Sequence, residues 1–246
     1  MSAYESLAVS YDGLTTDIPY AAILDFLEAI LRSSGRQPET VLDLACGTGS
    51  MSFLLAKRGY RVLASDISEE MLTVAAQKTG ELEQPPFFFR QPMQRLRLPE
   101  QVDVVFCLLD SLNYLDKPQD CRKTVERVFQ ALKPGGVFLF DINTPEKLRS
   151  LDGQVFLDEN EDSYCVWRAE FGEDENCCFY GIDLFQRDGD CWKRSFEQHC
   201  EYAYAPQQLA EWLKEAGFVR VEQYGDLRQE PPKKGEQRIY FAAYKE

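Results

Sequence analysis

The stretch Val41–Asp66 reads VLDLACGTGSMSFLLAKRGYRVLASD. Val41, Leu42 and Leu44 form an apolar run that fits a buried strand and is too short for a helix. Cys46-Gly47-Thr48-Gly49 brings two glycines, which tolerate positive φ and let a ligand lie against bare backbone. Ser50–Lys57 has helical spacing, with Met51, Leu54 and Leu55 on one face. The first N–H groups of such a helix have no partners inside it and suit an anionic or polar group. Arg61–Ser65 is a second strand, and Asp66 ends it. An acidic residue about 20 positions past a glycine turn, at the end of the next strand, suits a ribose diol. The dinucleotide pattern G-x-G-x-x-G fits poorly, because its third glycine would be Ser52.

Asp43–Ser50, D-L-A-C-G-T-G-S, resembles motif I of the class I S-adenosylmethionine-dependent methyltransferases. Leu132-Lys133-Pro134-Gly135-Gly136 and the apolar Val137–Phe140 resemble their later LKPGG motif. Phe218–Tyr224 and Arg238–Tyr244 resemble their closing strand pair. These motifs keep the family's order over nearly the whole chain. By layout the chain resembles the small-molecule N-methyltransferase branch, which carries an antiparallel insertion after the fifth strand. Ala45 stands where the commonest motif I has glycine. Alanine is small, so little consequence is expected.

The resemblance implies S-adenosyl-L-methionine as cofactor and assigns its holders. Asp43, Ala45, Gly47 and Gly49 belong to the motif I turn, and Asp66 to the ribose, with Ile67 and Met71 just beyond. Gln91, Pro92 and Met93 end the third strand, beside the adenine. Relatives often carry aspartate at the place of Pro92, accepting from the adenine amino group. Proline has neither that acceptor nor an N–H, which leaves Met93 to stack. Leu108, Asp110 and Asn113 follow the fourth strand, where the family places the donor methyl and the acceptor.

Tyr114, Tyr11 and His199 are the candidate catalytic residues. Some relatives that methylate amino sugars carry histidine at the place of Tyr114. A tyrosine there can hydrogen-bond an acceptor or act as a weak base, and it can equally be a tyrosine packed on the core. Tyr4, Tyr11 and Tyr20 precede the first expected helix, and similar enzymes fold such a segment over the cofactor. An aromatic face there can attract a sulfonium; docking of an N-terminal arm is the alternative. His199, the chain's single histidine, either faces the pocket or is structural. Asp141-Ile142-Asn143 could imitate a Mg²⁺ ligand pair, but two oxygens are too few and no metal is assigned.

The 246 residues suffice for one α/β domain with an elaboration. An apolar content of 44% supports a full core. A net charge of −14 argues against a nucleic-acid partner, since such binders carry a basic face. There is no membrane-length apolar run, and the start MSAYESLAVS lacks signal-peptide features, so a cytoplasmic location is expected. Eight cysteines without a C-x-x-C pair read as free thiols rather than a zinc site.

Ala21–Leu31, Ser50–Lys57, Pro118–Leu132 and Pro206–Ala216 read as helices, the last stopped at Gly217. Ser68 caps another helix. Phe87–Arg90, Val102–Leu109 and Val137–Asp141 read as the third to fifth strands. Strand–helix alternation calls for a mostly parallel sheet covered on both faces. From 150 to 204 the pattern becomes alternating, with strands Tyr164–Phe171, Cys178–Gln186 and Cys191–Tyr202. The second has apolar residues on both faces, as Phe179 and Ile182 differ in parity. It is therefore covered twice or sits at a dimer contact.

The expected fold is a doubly wound, mostly parallel seven-stranded α/β sheet with a three-stranded antiparallel insertion. Residues 1–149 and 205–246 form the cofactor-binding core, and 150–204 a lid or substrate subdomain. The expected activity is methyl transfer to a small-molecule acceptor at nitrogen or oxygen, by a monomer or homodimer. The rivals are an RNA or protein methyltransferase and a non-catalytic cofactor-binding regulator.

Overall fold

The computed structural model describes residues 7–78, 80 and 82–246; Tyr4 lies outside them. Helices α1 (Ala8–Leu14) and α2 (Tyr20–Ser33) precede strand β1 (Thr40–Leu44). Then follow α3 (Ser50–Lys57), β2 (Arg61–Asp66), α4 (Glu69–Gln77), β3 (Phe87–Arg90), β4 (Val102–Cys107), α5 (Pro118–Ala131) and β5 (Leu132–Asn143). After α6 (Pro145–Ser150) come β6 (Val155–Glu159), β7 (Ser163–Gly172), β8 (Cys177–Asp188) and β9 (Cys191–Tyr202). The chain closes with α7 (Pro206–Ala216), β10 (Arg220–Tyr224) and β11 (Arg238–Tyr244).

Seven strands form one sheet in the order β10-β11-β5-β4-β1-β2-β3. The five from β5 to β3 run parallel, while β11 is antiparallel to β5 and β10 to β11. All five residues of β1 are buried, as a strand covered on both faces requires. Leu42 and Leu44 share one core cluster with Val125 and Val128 of α5 and Leu209 and Leu213 of α7. Val41 joins the other cluster, with Leu27 and Ile30 of α2 and Met51 and Leu55 of α3. Strand order reverses at β1, between β2 and β4, so the crevice of such a sheet opens at the carboxyl ends of these strands.

The insertion holds four strands rather than the three expected, in the order β6-β7-β8-β9. β6 was hidden because Val155, Phe156 and Leu157 are apolar in succession and give no alternation. All three are exposed on this edge strand, which rests on its ladder to β7. On β8, Cys178, Tyr180, Ile182 and Leu184 join Leu7 and Leu148 in a third core cluster, so this face of the sheet packs on α1 and α6. Strand β4 ends at Cys107, short of the expected Leu109, because Leu109 and Asp110 take left-handed backbone at φ 56° and 51°. Among the described residues no helix is long and apolar enough to cross a membrane.

Gly217 ends α7 in the left-handed region at φ 112°, and a Cβ there would lie 2.7 Å from Phe129 Cζ. Gly217→Ala is therefore expected to cost about 1–3 kcal/mol. Urea unfolding measures it, and an unchanged midpoint would contradict this account of the cap.

Candidate functional site

A cavity of about 420 Å³ opens at the switch point. Its floor is the β1–α3 turn, with Asp43, Ala45 and Gly47 lining it. Asp66, Ile67 and Met71 supply the wall after β2, and Gln91, Pro92 and Met93 the wall after β3. Leu108 and Tyr114 stand on the wall after β4, and Tyr11 of α1 enters from above with Tyr20. Twelve sequence-nominated residues are thus brought around one space.

The turn is shaped by backbone. Gly47 has φ 55°, and nothing lies within 4 Å of where its Cβ would be, so the space beside it is open. Ala45 also sits in the left-handed region, at φ 62°. Its small size is no obstacle, but it holds a conformation that costs an alanine about 1 kcal/mol and a glycine nothing. Little consequence was expected of this departure; the backbone gives it a cost.

Asp66 Oδ2 accepts the Gly47 N–H at 2.9 Å, and Oδ1 accepts the Ser68 N–H at 2.8 Å. Burial raises the pKa of this carboxyl, and these backbone bonds oppose the rise. Both oxygens are fixed in direction and keep lone pairs for a diol. Asp43 is buried and accepts the Ser52 hydroxyl at 2.5 Å. Burial pushes its carboxyl up to about 6, Ser52 opposing and Asp66 adding to the rise. Burial first, then Tyr20 and the carboxylates of Asp110, Asp12 and Asp66, hold the Tyr11 phenol far above its ordinary value. Tyr11 therefore stays protonated.

Four nominated residues do not line the cavity. Gly49, at φ 80°, opens α3 and packs against Phe88 and Phe53, so it shapes the turn without facing the space. Asp110 is turned to Arg238, whose Nη2 lies 2.7 Å from Oδ1. Asn113 is fully buried: its Nδ2 donates to the carbonyls of Asn143 and Tyr202, and its Oδ1 accepts the Asn143 N–H. His199 is buried with Nε2 2.9 Å from Glu197, and its ring meets Tyr114 edge-on at 6.0 Å. It stands behind Tyr114 rather than beside the cavity.

Asp141 and Asn143 join a polar hub. Asp141 is fully buried, accepts the N–H groups of Leu109 at 2.7 Å and Asp110 at 3.0 Å, and pairs with Arg238. Asn143 donates to Glu201 of β9 at 2.9 Å, and Glu201 is raised by burial first, then by Asp110. Among the described residues no His, Cys, Asp and Glu are grouped as a metal site would require.

Sequence reasoning missed the fastening of α1. Asp12 accepts the Thr48 hydroxyl at 2.6 Å and pairs with Lys78, which also donates to the Thr48 carbonyl at 3.0 Å. At its other side, Ser10 meets Ser163 at 2.8 Å and accepts from Gln186 at 2.9 Å. No sequence motif announces these contacts between distant segments. Asp116 and Asp120, also on the wall, were missed because they read as loop and helix-start residues.

The family model described as a methyltransferase domain matches residues 41–136. The chain is 34% identical to the putative methyltransferase YqeM of Bacillus subtilis (strain 168), over 98% of this chain and 97% of that protein. The chain belongs to the class I S-adenosylmethionine-dependent methyltransferases. A crystal structure of an S-adenosylmethionine-dependent methyltransferase from Clostridium acetobutylicum ATCC 824 superposes with a TM-score of 0.87 at 29% identity, covering 99% of each chain. A glycine/sarcosine N-methyltransferase of Parasynechococcus marenigrum (strain WH8102) is 26% identical over 84% of this chain and 71% of its own length. The cofactor of this methyltransferase is S-adenosylmethionine. The residues present fit it: an open glycine turn, helix N–H groups beside it, and a pre-oriented acid at the end of β2.

Asp66→Ala removes the carboxylate expected to accept from the ribose hydroxyls. The affinity for S-adenosylhomocysteine should fall by about 2–4 kcal/mol, the non-additive sum of two charge-assisted bonds. Titration calorimetry measures this, and unchanged affinity would displace the cofactor from this wall.

Asp43 binds its proton more tightly when folded than at its ordinary value of 3.8. The contribution is fully present below that value and is lost as pH rises through about 6, a gap corresponding to about 3 kcal/mol. Asp43→Asn keeps an acceptor for Ser52 and carries no charge. The variant should gain about 2–3 kcal/mol on the parent between roughly pH 4 and pH 7. Denaturant unfolding at both pH values tests it, and a constant difference would refute the buried charge.

Proposed function

We propose that this methyltransferase acts on a small-molecule acceptor, at nitrogen or oxygen, with residues 150–204 covering the acceptor side as a lid and residues 1–149 and 205–246 holding the cofactor. The observation that carries this reading is the roof. Helix α1 is fastened to the glycine turn through Asp12 and to the second sheet through Ser10, so Tyr11 is held across the cavity from above. A cavity of about 420 Å³ roofed in this way suits a cofactor with a small partner better than a nucleic-acid or protein chain. The net charge of −14 adds to the case against RNA. The relative named as a glycine/sarcosine N-methyltransferase also supports a small acceptor.

When bound, S-adenosylmethionine supplies a methyl group on a sulfonium. The chain's own part is to orient and to exclude water, which is much of what an intrinsically reactive donor needs. Asp66 and the Gly47 turn would hold the ribose and tail. Met93 and Pro92 line the wall after β3 and would flank the adenine, without the side-chain acceptor that relatives carry. Tyr11, kept protonated, offers an O–H and an aromatic face. Tyr114 lines the cavity after β4 and would hold the acceptor through its hydroxyl; its ring meets that of His199 edge-on.

Transfer of labelled methyl groups to a metabolite panel tests the activity, and its absence with every acceptor would favour a cofactor-binding regulator. Tyr114→Phe should lower kcat/KM by about 10–100-fold, the scale of one lost positioning bond, and leave S-adenosylhomocysteine affinity within about twofold. Equal loss in both would place Tyr114 on the cofactor instead.

A further inference from the structure

The charge of the cavity has one sign. Asp43, Asp66, Asp116 and Asp120 are among its lining residues, and among the described residues the lining includes no lysine, arginine or histidine. Among the described residues three cations come near the wall and each is paired; Lys123 lies 3.3 Å from Asp120. Arg238 pairs with Asp110 and Asp141, and Lys78 pairs with Asp12 and donates to the Thr48 carbonyl. Residues 1–6, 79 and 81 contain no lysine or arginine. The field is felt on the roof: after burial, it is Tyr20 and the carboxylates of Asp110, Asp12 and Asp66 that hold Tyr11 protonated.

Such a wall discriminates between acceptors. A carboxylate or phosphate is recognised by a guanidinium, an ammonium or a set of N–H groups. The N–H groups that open α3 gather at the glycine turn, where they would take the amino-acid tail of the cofactor, while the Thr48 hydroxyl there already donates to Asp12. A second anion would enter beside the carboxylates of Asp43, Asp66 and Asp116, and low local dielectric strengthens that repulsion. A positive charge is favoured by the same field.

Resting on the methyltransferase reading above, we propose that the acceptor is a small amine with no carboxylate or phosphate near its reacting nitrogen. It is neutral as it reacts and cationic as it leaves. The nitrogen lone pair forms the new N–C bond while the C–S bond breaks, its electron pair remaining on sulfur. The sulfonium becomes a neutral thioether, and the methylated ammonium releases its proton to water. One positive charge faces the carboxylates throughout. An oxygen acid would instead bring its own negative charge as carboxylate or phenolate.

Two measurements test this. Calorimetry compares S-adenosylhomocysteine, which is neutral at sulfur, with S-adenosylmethionine and with sinefungin, which carries an ammonium in place of the methylsulfonium. Sinefungin and S-adenosylmethionine should bind about tenfold tighter, and the margin should shrink as salt is raised. Equal or weaker binding than the neutral thioether overturns the proposal. Labelled transfer then compares matched pairs: phenethylamine with phenylalanine, and ethanolamine with phosphoethanolamine. The amine of each pair should be methylated about tenfold faster or more. Comparable or preferred use of the anionic member overturns the proposal, as does no transfer to any amine by protein that binds the cofactor. Failure of all three adenosyl compounds to bind defeats the methyltransferase reading itself, which separates the two failures.

Discussion

The carboxylate of Asp141 holds the ends of β4, β5 and β11 together. Leu109 and Asp110 both stand in left-handed backbone, which costs an L-residue about 1–2 kcal/mol each. Nothing in their side chains favours it for leucine. The turn exists because both N–H groups point at one fully buried carboxylate, at 2.7 and 3.0 Å. Without that turn Asp141 would lack two donors, and without Arg238 its charge would be uncompensated. Arg238 opens β11, so the antiparallel strand is locked to the end of β4 across β5. Asn143 then reaches Glu201 and ties the second sheet to the same point. The wall carrying Leu108, Leu109 and Ser111 is set by this hub rather than by its own sequence.

The opposite side depends on Asp12. Its two oxygens hold Thr48 in the glycine turn and Lys78 beyond α4, so moving α1 elsewhere would take the acceptor from the Thr48 hydroxyl and the carboxylate from Lys78. The other end of α1 reaches the second sheet, where Glu197 accepts the Leu7 N–H and also meets His199. His199 in turn touches Tyr114. A continuous set of contacts therefore runs from the roof through the second sheet to the wall after β4. Displacing α1 disturbs Tyr11 directly and the surroundings of Tyr114 at second hand.

Much of the core could be read from the chain because its signals are local. The β1 turn, Asp66 and the Ser68 cap each lie within one supersecondary unit, where spacing determines geometry. The Ser68 oxygen indeed accepts the Met71 N–H at 3.1 Å. What escaped was set by distant partners. Asp110 and Asn113 sit at the right strand end, yet their side chains turn inward, because Arg238 lies 128 positions from Asp110 and the Tyr202 carbonyl 89 from Asn113. His199 alternates onto the inner face of its sheet as the pattern requires, but Tyr114 stands between it and the cavity. The β6 strand was illegible for a different reason: an edge strand with apolar residues on both parities carries no period.

Two features of the cavity, its buried acids and its one-signed charge, have a single physical origin. Asp43 and Asp66 are drawn out of water by the sheet end that positions them, and burial raises both. In the free protein this is a stability cost, because the charged form is desolvated beside another carboxylate. A cationic ligand in the cavity stabilises the charged forms and so lowers their proton affinity. Binding a positive ligand and releasing protons are thereby linked, and the binding free energy adds to folding stability by mass action. An anionic ligand would act in reverse and drive protonation of Asp43 and Asp66. The same residues that make the empty cavity costly to build therefore set the sign of what can enter it.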